Sequence, residues 1–289
     1  GTVIELTIKR ANGTSITIYQ TVTSPIDPNN PNAPGTWSID FSQISPSAGF
    51  LNDLADGNYI VEVVAIDAAF NRSTAATQNP FIVDTVAPAI PVITSPSLTN
   101  DNTPVLTGTA EPGSTVTVVI AGLTYITTAI SPNGAWSVDL GTAIPVGGST
   151  PITGLTDGIN TVTVTATDPA GNTSAPATQN LRVDTTPPAI PQITSSDKNN
   201  DTTPVITGLA EPGSTVAVTI NGATFSTIVG PNGSWSVDLG TAIPNGGTTP
   251  IAPLNNGQTY PVSATATDAA GNTSAAATQS LLVDTTAPD

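Results

Sequence analysis

Residues 162–166 read VTVTA, and this short stretch indicates the class of fold. Val162, Val164 and Ala166 alternate with threonines, so an apolar side chain recurs at every second position. A period of two places alternate side chains on opposite faces of an extended strand, here with the apolar residues toward a core and the threonines toward solvent. The run therefore predicts a half-buried β-strand.

The strand belongs to a unit that recurs along the chain. TATDPAGNTS begins at residue 165 and TATDAAGNTS at residue 265, one hundred positions later, and the three tryptophans lie at 37, 136 and 235. A fixed period of this kind predicts tandem domains. The predicted bounds are 1–83 (a repeat without its first strands), 84–183 and 184–283 (two full repeats), and 284–289 (the start of another).

One full repeat contains seven strand-like runs and a hairpin signal, Pro-Asn-Gly at 132–134. We therefore predict an all-β chain of tandem seven-stranded immunoglobulin-like β-sandwiches that form an elongated rod. Trp136 and Trp235 are expected to fill the cores, with sugar stacking as the alternative. The predicted strands are 91–94, 104–109, 114–121, 123–129, 135–140, 159–167 and 176–183.

Composition excludes several classes of function. The chain has no histidine, cysteine or methionine, so the commonest general base, the thiol nucleophile and the usual zinc ligands are missing. A bound metal should therefore be a hard cation held by oxygen atoms. With 21 acidic and five basic residues the net charge is −16, which argues against nucleic acid as a partner.

The chain also lacks the sequence signals of a membrane protein. No apolar run approaches the roughly 20 residues that span a bilayer, and no signal peptide opens the chain at Gly1. We expect no membrane insertion in this segment and interpret it as part of a longer array. Its richness in Thr, Ser, Gly, Pro and Asn suits an extracellular setting.

The recurring motifs resemble those of a known family. NDNTPVLTG at 100–108, AEPGSTV at 110–116, PNGAWSV at 132–138, TATDPAGNTS at 165–174 and the DTTPP linker at 184–188 are together similar to the bacterial Ig-like repeats of giant adhesins and biofilm-associated surface proteins. The resemblance covers the whole chain. It implies a tandem rod that is exported by a one-step secretion system, is displayed on the bacterial cell surface and carries calcium at the joints between domains.

The positions of the acidic residues provide an independent argument for calcium. Successive strands of a sandwich run up and down, so loops 2–3, 4–5 and 6–7 lie at the upstream end, where the chain enters the domain, and the other loops lie at the downstream end. Five carboxylates are then expected at the joint between the two full repeats, where they would repel one another without a cation. They are Asp184 on the linker, Glu211 and Asp268 of the third repeat, and Asp101 and Asp157 of the second.

An equivalent set is expected at the preceding joint, because Asp84, Glu111 and Asp168 occupy the same repeat positions, with Asp53 or Asp56 from the first repeat. Ca²⁺ takes six to eight oxygen ligands from carboxylates, amides, carbonyls and water. The sequence thus predicts interdomain calcium, with these residues as candidate metal ligands.

Loop chemistry offers an alternative. Asp168 and Asp268 could instead accept backbone N–H groups in Asx turns, which Asn172 and Asn272 would close. In the first repeat Phe70 replaces a glycine that is expected at a left-handed turn position, and the partner glutamate is absent, so cation binding at Asp67 is in doubt.

Two strand aspartates have another predicted role. Asp139 and Asp238 lie inside the SVDL motif of the second and third repeats, and we expect them to face solvent from a strand.

Three functions compete at this stage. The leading one is a structural and adhesive spacer whose partners are the neighbouring repeats, stiffened by calcium, with host or biofilm ligands as further possible partners. The second is a carbohydrate- or receptor-binding module, which would need an exposed aromatic platform from Tyr125, Tyr260 or Phe225. Catalysis is not expected, because every candidate carboxylate recurs in the next repeat at a joint and not in a cleft.

Overall fold

The structure, a computed structural model, describes residues 2–10, 15–22 and 54–287. Trp37 and Asp53, which figure in the sequence predictions, lie outside these residues. The chain divides into two compact units, residues 1–89 with 167–174, and residues 90–166 with 175–289. The regular secondary structure of the described residues consists of β-strands. No helix able to cross a membrane is found among these residues.

The first unit contains one four-stranded antiparallel sheet in the order β2-β1-β3-β4. Ile4, Leu6 and Ile8 are buried at alternate positions of β1, as the strand period requires, and Leu6 and Ile8 pack with Tyr59. The strands are β1 (Thr2–Arg10), β2 (Ser15–Val22), β3 (Gly57–Ile66) and β4 (Ala76–Val83).

The second unit contains two sandwiches with the same topology. In each, a three-stranded sheet (β10-β7-β5, then β13-β15-β18) faces a five-stranded sheet (β6-β12-β11-β8-β9, then β14-β20-β19-β16-β17). The first set of strands is β5 (Val92–Ile93), β6 (Leu98–Thr99), β7 (Val105–Thr109), β8 (Thr115–Ile120), β9 (Leu123–Thr128), β10 (Ala135–Asp139), β11 (Gly158–Thr167) and β12 (Ala177–Val183).

The second set repeats this order. It comprises β13 (Gln192–Ile193), β14 (Lys198–Asn199), β15 (Val205–Leu209), β16 (Thr215–Ile220), β17 (Ala223–Ile228), β18 (Ser234–Asp238), β19 (Thr259–Thr267) and β20 (Ala277–Val283). The prediction of an all-β, immunoglobulin-like fold is confirmed by this arrangement. In β11, Val162, Val164 and Ala166 are fully buried, as the alternation predicted.

Each sandwich has one strand more than the seven predicted. The first strand of the repeat is two short pieces: β5 pairs antiparallel with β7 in one sheet, whereas β6 pairs parallel with β12 in the other. Gln179 Nε2 donates to the carbonyl of Ser95 between the two pieces, at 2.9 Å, and Gln279 does the same for Ser195. These side chains satisfy a carbonyl that the crossover takes out of the ladder.

Trp136 and Trp235 are core residues, as predicted. Trp136 is 2% and Trp235 3% exposed. Trp136 lies opposite Gly108 across β10 and β7, and a Cβ on Gly108 would collide with the indole ring and with the carbonyl of Val92. The glycine in VLTGT is therefore required by the close approach of the tryptophan.

The hairpin between β8 and β9 corrects a predicted boundary. The sequence extended the third strand to residue 121, but the strand ends at Ile120, and Ala121 and Gly122 form a two-residue turn with φ of 50° and 75°. Two positive φ values are typical of the type I′ turn that connects tight hairpins. Asn221 and Gly222 form the equivalent turn in the next repeat, with φ of 48° and 76°.

Candidate functional site

The loop between β19 and β20 is closed by an aspartate and an asparagine four residues apart. Asp268 Oδ1 accepts hydrogen bonds from the backbone N–H groups of Gly271 (2.8 Å) and Asn272 (2.9 Å), and its Oδ2 accepts one from Asn272 Nδ2 (2.8 Å). This is the Asx arrangement considered as the alternative to calcium binding. Asn272 is 9% exposed, so its amide is held in place within the loop.

The same asparagine reaches the linker that enters its repeat. Asn272 Nδ2 also donates to the backbone carbonyl of Asp184 at 2.6 Å, which joins the loop to the linker. In the first unit Asn172 repeats both contacts, to Asp168 Oδ2 at 2.8 Å and to the carbonyl of Asp84 at 2.9 Å. The structure thus connects Asp184 with Asp268, and Asp84 with Asp168, through one amide group in each case.

Hydrogen bonds control the ionisation of these loop aspartates. The side chain and backbone of Asn172 and nearby backbone amides lower the pKa of Asp168. Burial alone would raise the pKa of Asp268, but hydrogen bonds from Asn272 and from the Gly271 and Ala270 amides outweigh it and lower the pKa. Both carboxylates are therefore stabilised in the charged form.

The downstream end of the second repeat faces the loop of the third. Gly271 lies next to Asn100, since a Cβ at Gly271 would meet Asn100 Nδ2 at 3.5 Å. Asn100 adjoins Asp101, whose Oδ1 accepts hydrogen bonds from Thr103 N (2.8 Å) and Thr103 Oγ1 (3.2 Å) and so caps its own turn. The structure thus places the first loop of the second repeat beside the loop between β19 and β20 of the third.

Asp157 and Asp56 contact the linkers that follow their own repeats. Asp157 accepts hydrogen bonds from Thr185 and Thr186, and Asp56 accepts them from Thr85. The hydroxyls of Thr185 and Thr186 lower the pKa of Asp157. Sequence reasoning had placed both aspartates at a joint but had not identified these threonine partners.

The two candidate glutamates are exposed in the described structure. The backbone carbonyl of Glu211 accepts hydrogen bonds from Ser214 N (3.1 Å) and Ser214 Oγ (2.7 Å), and the carbonyl of Glu111 is bonded in the same way by Ser114. Their side chains project from the AEPGS turns and lie free to meet a ligand or solvent.

Whether the joint can hold calcium depends on its donors and on their positions. The donors are carboxylate, amide and carbonyl oxygens, which suit Ca²⁺ in kind. Within residues 2–10, 15–22 and 54–287, however, no three acidic side chains are grouped closely enough to bind a metal ion. Calcium at the joint remains a prediction.

Three other predicted residues have clear positions. Gly171 and Gly271 have a positive φ of 97°, as expected for the glycine of this loop, and Phe70, which replaces it in the first repeat, also has a positive φ, of 65°. Asp139 and Asp238 do more than face solvent, because each caps the turn after its strand, with Oδ1 accepting the N–H of Gly141 or Gly240 at 2.9 Å. Each is partly buried.

The three aromatic residues proposed for a ligand platform, Tyr125, Tyr260 and Phe225, are buried or partly buried. Tyr125 and Phe225 are each 1% exposed and belong to the cores of their sandwiches. Tyr260 is partly buried, and its hydroxyl accepts a hydrogen bond from the backbone N–H of Asn255 at 2.8 Å. Tyr125 and Phe225 are thus wrong as candidates for an exposed carbohydrate-binding surface.

The repeated sandwiches and their linker contacts define a tandem immunoglobulin-like protein. Residues 93–185 and 193–285 each match the model of the bacterial Ig-like domain. The chain belongs to the bacterial Ig-like domain family. No curated protein matches the chain.

Solved structures of adhesins are among those to which the chain is similar. A tetra-tandem repeat in the extending region of a large adhesion protein is 21% identical, over 96% of this chain and 66% of that one, with a TM-score of 0.29. A 1.5-MDa bacterial ice-binding adhesin is 25% identical, over 98% and 87%, with a TM-score of 0.33.

A Ca²⁺-stabilized adhesin with which an Antarctic bacterium binds ice is 28% identical, over 100% of this chain and 67% of that one, with a TM-score of 0.32. The chain thus spans just under two thirds of the first of these three structures. All three TM-scores are low, and the family match alone decides the class.

Proposed function

We propose that this chain is a run of spacer repeats from a large adhesin on a bacterial cell surface, and that Ca²⁺ binds at the joints between repeats and stiffens them. Two tandem copies of a bacterial Ig-like domain support a structural and not a catalytic role. The partners of each repeat are then its neighbours in the same chain. Contact with a host or a biofilm ligand is a task for other parts of the parent protein.

The observation that carries the proposal is the contact between loop and linker. Asn272 holds the Asp184 carbonyl and the Asp268 carboxylate with one amide group, and Asn172 does the same for Asp84 and Asp168. A contact that recurs at equivalent positions indicates a joint with a defined geometry. A spacer needs such joints to keep its repeats extended, because a chain with freely bending joints can fold back on itself.

The linker between the two full repeats is restrained along its length as well. Pro188 and Pro191 are buried, whereas Ala189 and Ile190 between them are exposed. Proline fixes φ near −65°, so a linker with buried prolines has few alternative conformations. The local chemistry therefore supports stiffness even before a cation is considered.

Charge provides the reason for calcium. The chain has a net charge of −16, so acidic loops repel one another wherever a joint brings them together. A cation coordinated by carboxylate oxygens of Asp184, Glu211 and Asp268, with Asp101 from the preceding repeat, would offset this repulsion. Extracellular modules bind calcium with dissociation constants on the order of 10⁻⁴ to 10⁻³ M, so such joints would be occupied outside the cell.

Small-angle X-ray scattering of the whole chain tests the proposal. We expect a larger radius of gyration and a narrower distribution of conformations in millimolar Ca²⁺ than in excess chelator, with no such change in millimolar Mg²⁺. Asp268→Asn should reduce the calcium response, because it removes a carboxylate while the amide oxygen can still accept the backbone N–H groups of Gly271 and Asn272. The bond from Asn272 Nδ2 to the second carboxylate oxygen is lost in this variant. The matched control is Asp238→Asn in the same repeat, which caps a turn and should leave the response unchanged.

Identical scattering profiles in calcium and in chelator would show that calcium does not stiffen the joints. Equal loss of the response in both variants would mean that general charge, and not a joint site, is responsible.

A further inference from the structure

The turn that precedes the penultimate strand of each repeat carries the same pattern, Leu-x-[Asp/Asn]-Gly. It occurs at residues 54–57, 155–158 and 254–257. The leucine is buried in the second and third repeats and partly buried in the first, and the glycine has a positive φ in all three. The third residue of the pattern is Asp56, Asp157 or Asn256, and its side chain points at the linker that follows the repeat.

Asp157 makes three hydrogen bonds to that linker. Its Oδ1 accepts the backbone N–H of Thr185 at 3.1 Å and the hydroxyl of Thr185 at 2.9 Å, and its Oδ2 accepts the hydroxyl of Thr186 at 3.0 Å. The antiparallel pairing of Gly158 with Val183 explains the contact, because it brings the residue before the glycine beside the residues that follow β12. The first residues of the linker are thus fastened to the repeat that they leave.

The arrangement recurs in the other two repeats. Asp56 Oδ1 accepts the N–H of Thr85 at 3.0 Å and its hydroxyl at 2.8 Å. Asn256 Oδ1 accepts the N–H of Thr285 at 2.8 Å, and its Nδ2 donates to Thr286 Oγ1 at 3.2 Å. Every repeat therefore holds the threonine that follows the linker aspartate.

The third repeat shows that this contact forms without a charged side chain, because an asparagine replaces the aspartate. Asn256 is neutral, yet it binds the same backbone N–H as the two aspartates do. Its turn is also one residue longer, because Leu254 is separated from Val262 by one position more than Leu155 is from Val162. A contact that persists through a change of charge and of turn length depends on an acceptor oxygen at this place and not on a negative charge.

We propose that Asp56, Asp157 and Asn256 are hydrogen-bond clamps that fix the start of each linker on the preceding repeat without a cation. This rests on the proposed function in so far as the linker is a joint of a spacer. The clamp lies on the side of the joint where a repeat ends. The proposed calcium ion lies on the other side, at Asn272 and Asp268 of the next repeat. A repeat would then keep its outgoing direction at low calcium, and the response to calcium would be confined to the side of the joint that the next repeat provides.

Amide hydrogen exchange of the whole chain, measured by NMR in excess chelator, tests the clamp. The Thr185 and Thr285 amides should be protected in the unmodified chain without calcium. Asp157→Ala should speed exchange at Thr185 by about tenfold or more, since a hydrogen bond to a carboxylate is lost. Asp157→Asn copies the natural Asn256 and should keep most of the protection.

Two internal controls accompany this test. Val164 in the core of the same repeat reports whether Asp157→Ala has unfolded the sandwich, and Thr285 should keep its protection in that variant. If the core is loosened by Asp157→Ala, Thr185→Val tests the same contact, because it removes the hydroxyl donor from the linker side and should speed exchange at the backbone amides of residues 185 and 186.

The result that would overturn the proposal is a Thr185 amide that exchanges without protection in chelator, or one that Asp157→Asn exposes as much as Asp157→Ala does. Either would mean that the contact needs a charge or a cation. The calcium proposal fails on a different observation, the absence of a calcium effect on scattering, so the two failures are distinguishable.

Discussion

Asn272 Nδ2 donates to the backbone carbonyl of Asp184 at 2.6 Å, across 88 positions of sequence. The same NH₂ group donates to Asp268 Oδ2, so a single side chain closes its own loop and holds the incoming linker. With 9% of its surface exposed, this amide is largely shielded from competing water.

Asn272→Ala should destabilise the loop and free the linker. It removes two hydrogen bonds and leaves the Asp184 carbonyl without its donor, which costs about 1–3 kcal/mol when the group is buried. Hydrogen exchange of residues 268–272 in the whole chain measures the effect. Asn245→Ala is the control, because Asn245 is an exposed loop residue of the same repeat whose side chain bonds only locally, to Ser226 Oγ at 2.9 Å. Equal exchange in the two variants would show that the linker contact contributes nothing to the joint.

Tyr125→Phe should stabilise the second repeat. The Tyr125 side chain is 1% exposed, and its hydroxyl is buried with no hydrogen-bond partner in the described part of the chain. Burial also raises the pKa of this hydroxyl. The third repeat has Phe225 at the same place in its core, so the core accommodates the ring without the hydroxyl.

Removal of the unsatisfied hydroxyl should raise the free energy of unfolding of that repeat by about 1 kcal/mol, and the reverse change, Phe225→Tyr, should lower it by about 1–3 kcal/mol in the third repeat. Exchange of core amides, Val118 for one repeat and Val218 for the other, separates the two effects. Lower protection of Val118 in Tyr125→Phe would mean that the hydroxyl has a stabilising partner.

Ala121→Asn should also stabilise the second repeat. Ala121 has φ of 50°, a left-handed conformation that costs an L-residue with a Cβ about 1–2 kcal/mol, whereas asparagine tolerates it. The natural control is Asn221, which has φ of 48° in the equivalent turn. Calorimetric unfolding should show a higher transition temperature for Ala121→Asn and a lower one for Asn221→Ala; a shift in the same direction for both would contradict the turn argument.

The loop of the first repeat gives a prediction about pH. The side chain and backbone of Asn71 lower the pKa of Asp67 below its ordinary value of 3.8, with the Ala69 amide as a further donor. A carboxylate with a lowered pKa in the folded state contributes stability above its unfolded pKa and loses it as the pH falls through the folded pKa.

Asn71→Ala should therefore return the pKa of Asp67 toward 3.8, and the loop should then lose its order at a higher pH on acidification. NMR titration of the Asp67 carboxyl carbon measures the change directly. Asn58→Ala, in β3 of the same repeat, serves as a control that should leave this titration unchanged. An unchanged pKa in Asn71→Ala would show that the Asn71 side chain does not stabilise the charged form.

Much of the fold could be predicted from the sequence because it depends on patterns that are local. Alternation in VTVTA placed Val162 and Val164 in a core, and the repeated position of Trp136 and Trp235 indicated core residues. The glycine that Phe70 replaces is expected at a left-handed turn position, and Gly171 and Gly271 have a positive φ of 97° there. The division of the first strand into β5 and β6 was missed, because a two-residue strand has too little pattern to predict and because its partner, β12, lies far along the chain.

The candidate site was less predictable. The end of the sandwich on which each loop lies follows from the number of strands, and the proximity of Asn100 to Gly271 agrees with it. The direction of a side chain does not follow from this count. Asp157 was placed at the joint on the sequence, but only the structure identified Thr185 as its partner.

The sequence by itself determined the all-β class, the period of the repeat and part of the cores, such as Val162, Val164, Trp136 and Trp235, since side-chain alternation and internal repetition are properties of the chain alone. Only the tertiary structure decided which polar groups meet. Asn272 and Asp184 are separated by 88 positions, and Gln179 and Ser95 by 84. Such pairs come together because the strands pair in a particular order and register, and a hydrogen bond requires donor and acceptor to lie within about 3 Å, a condition that composition and spacing do not specify.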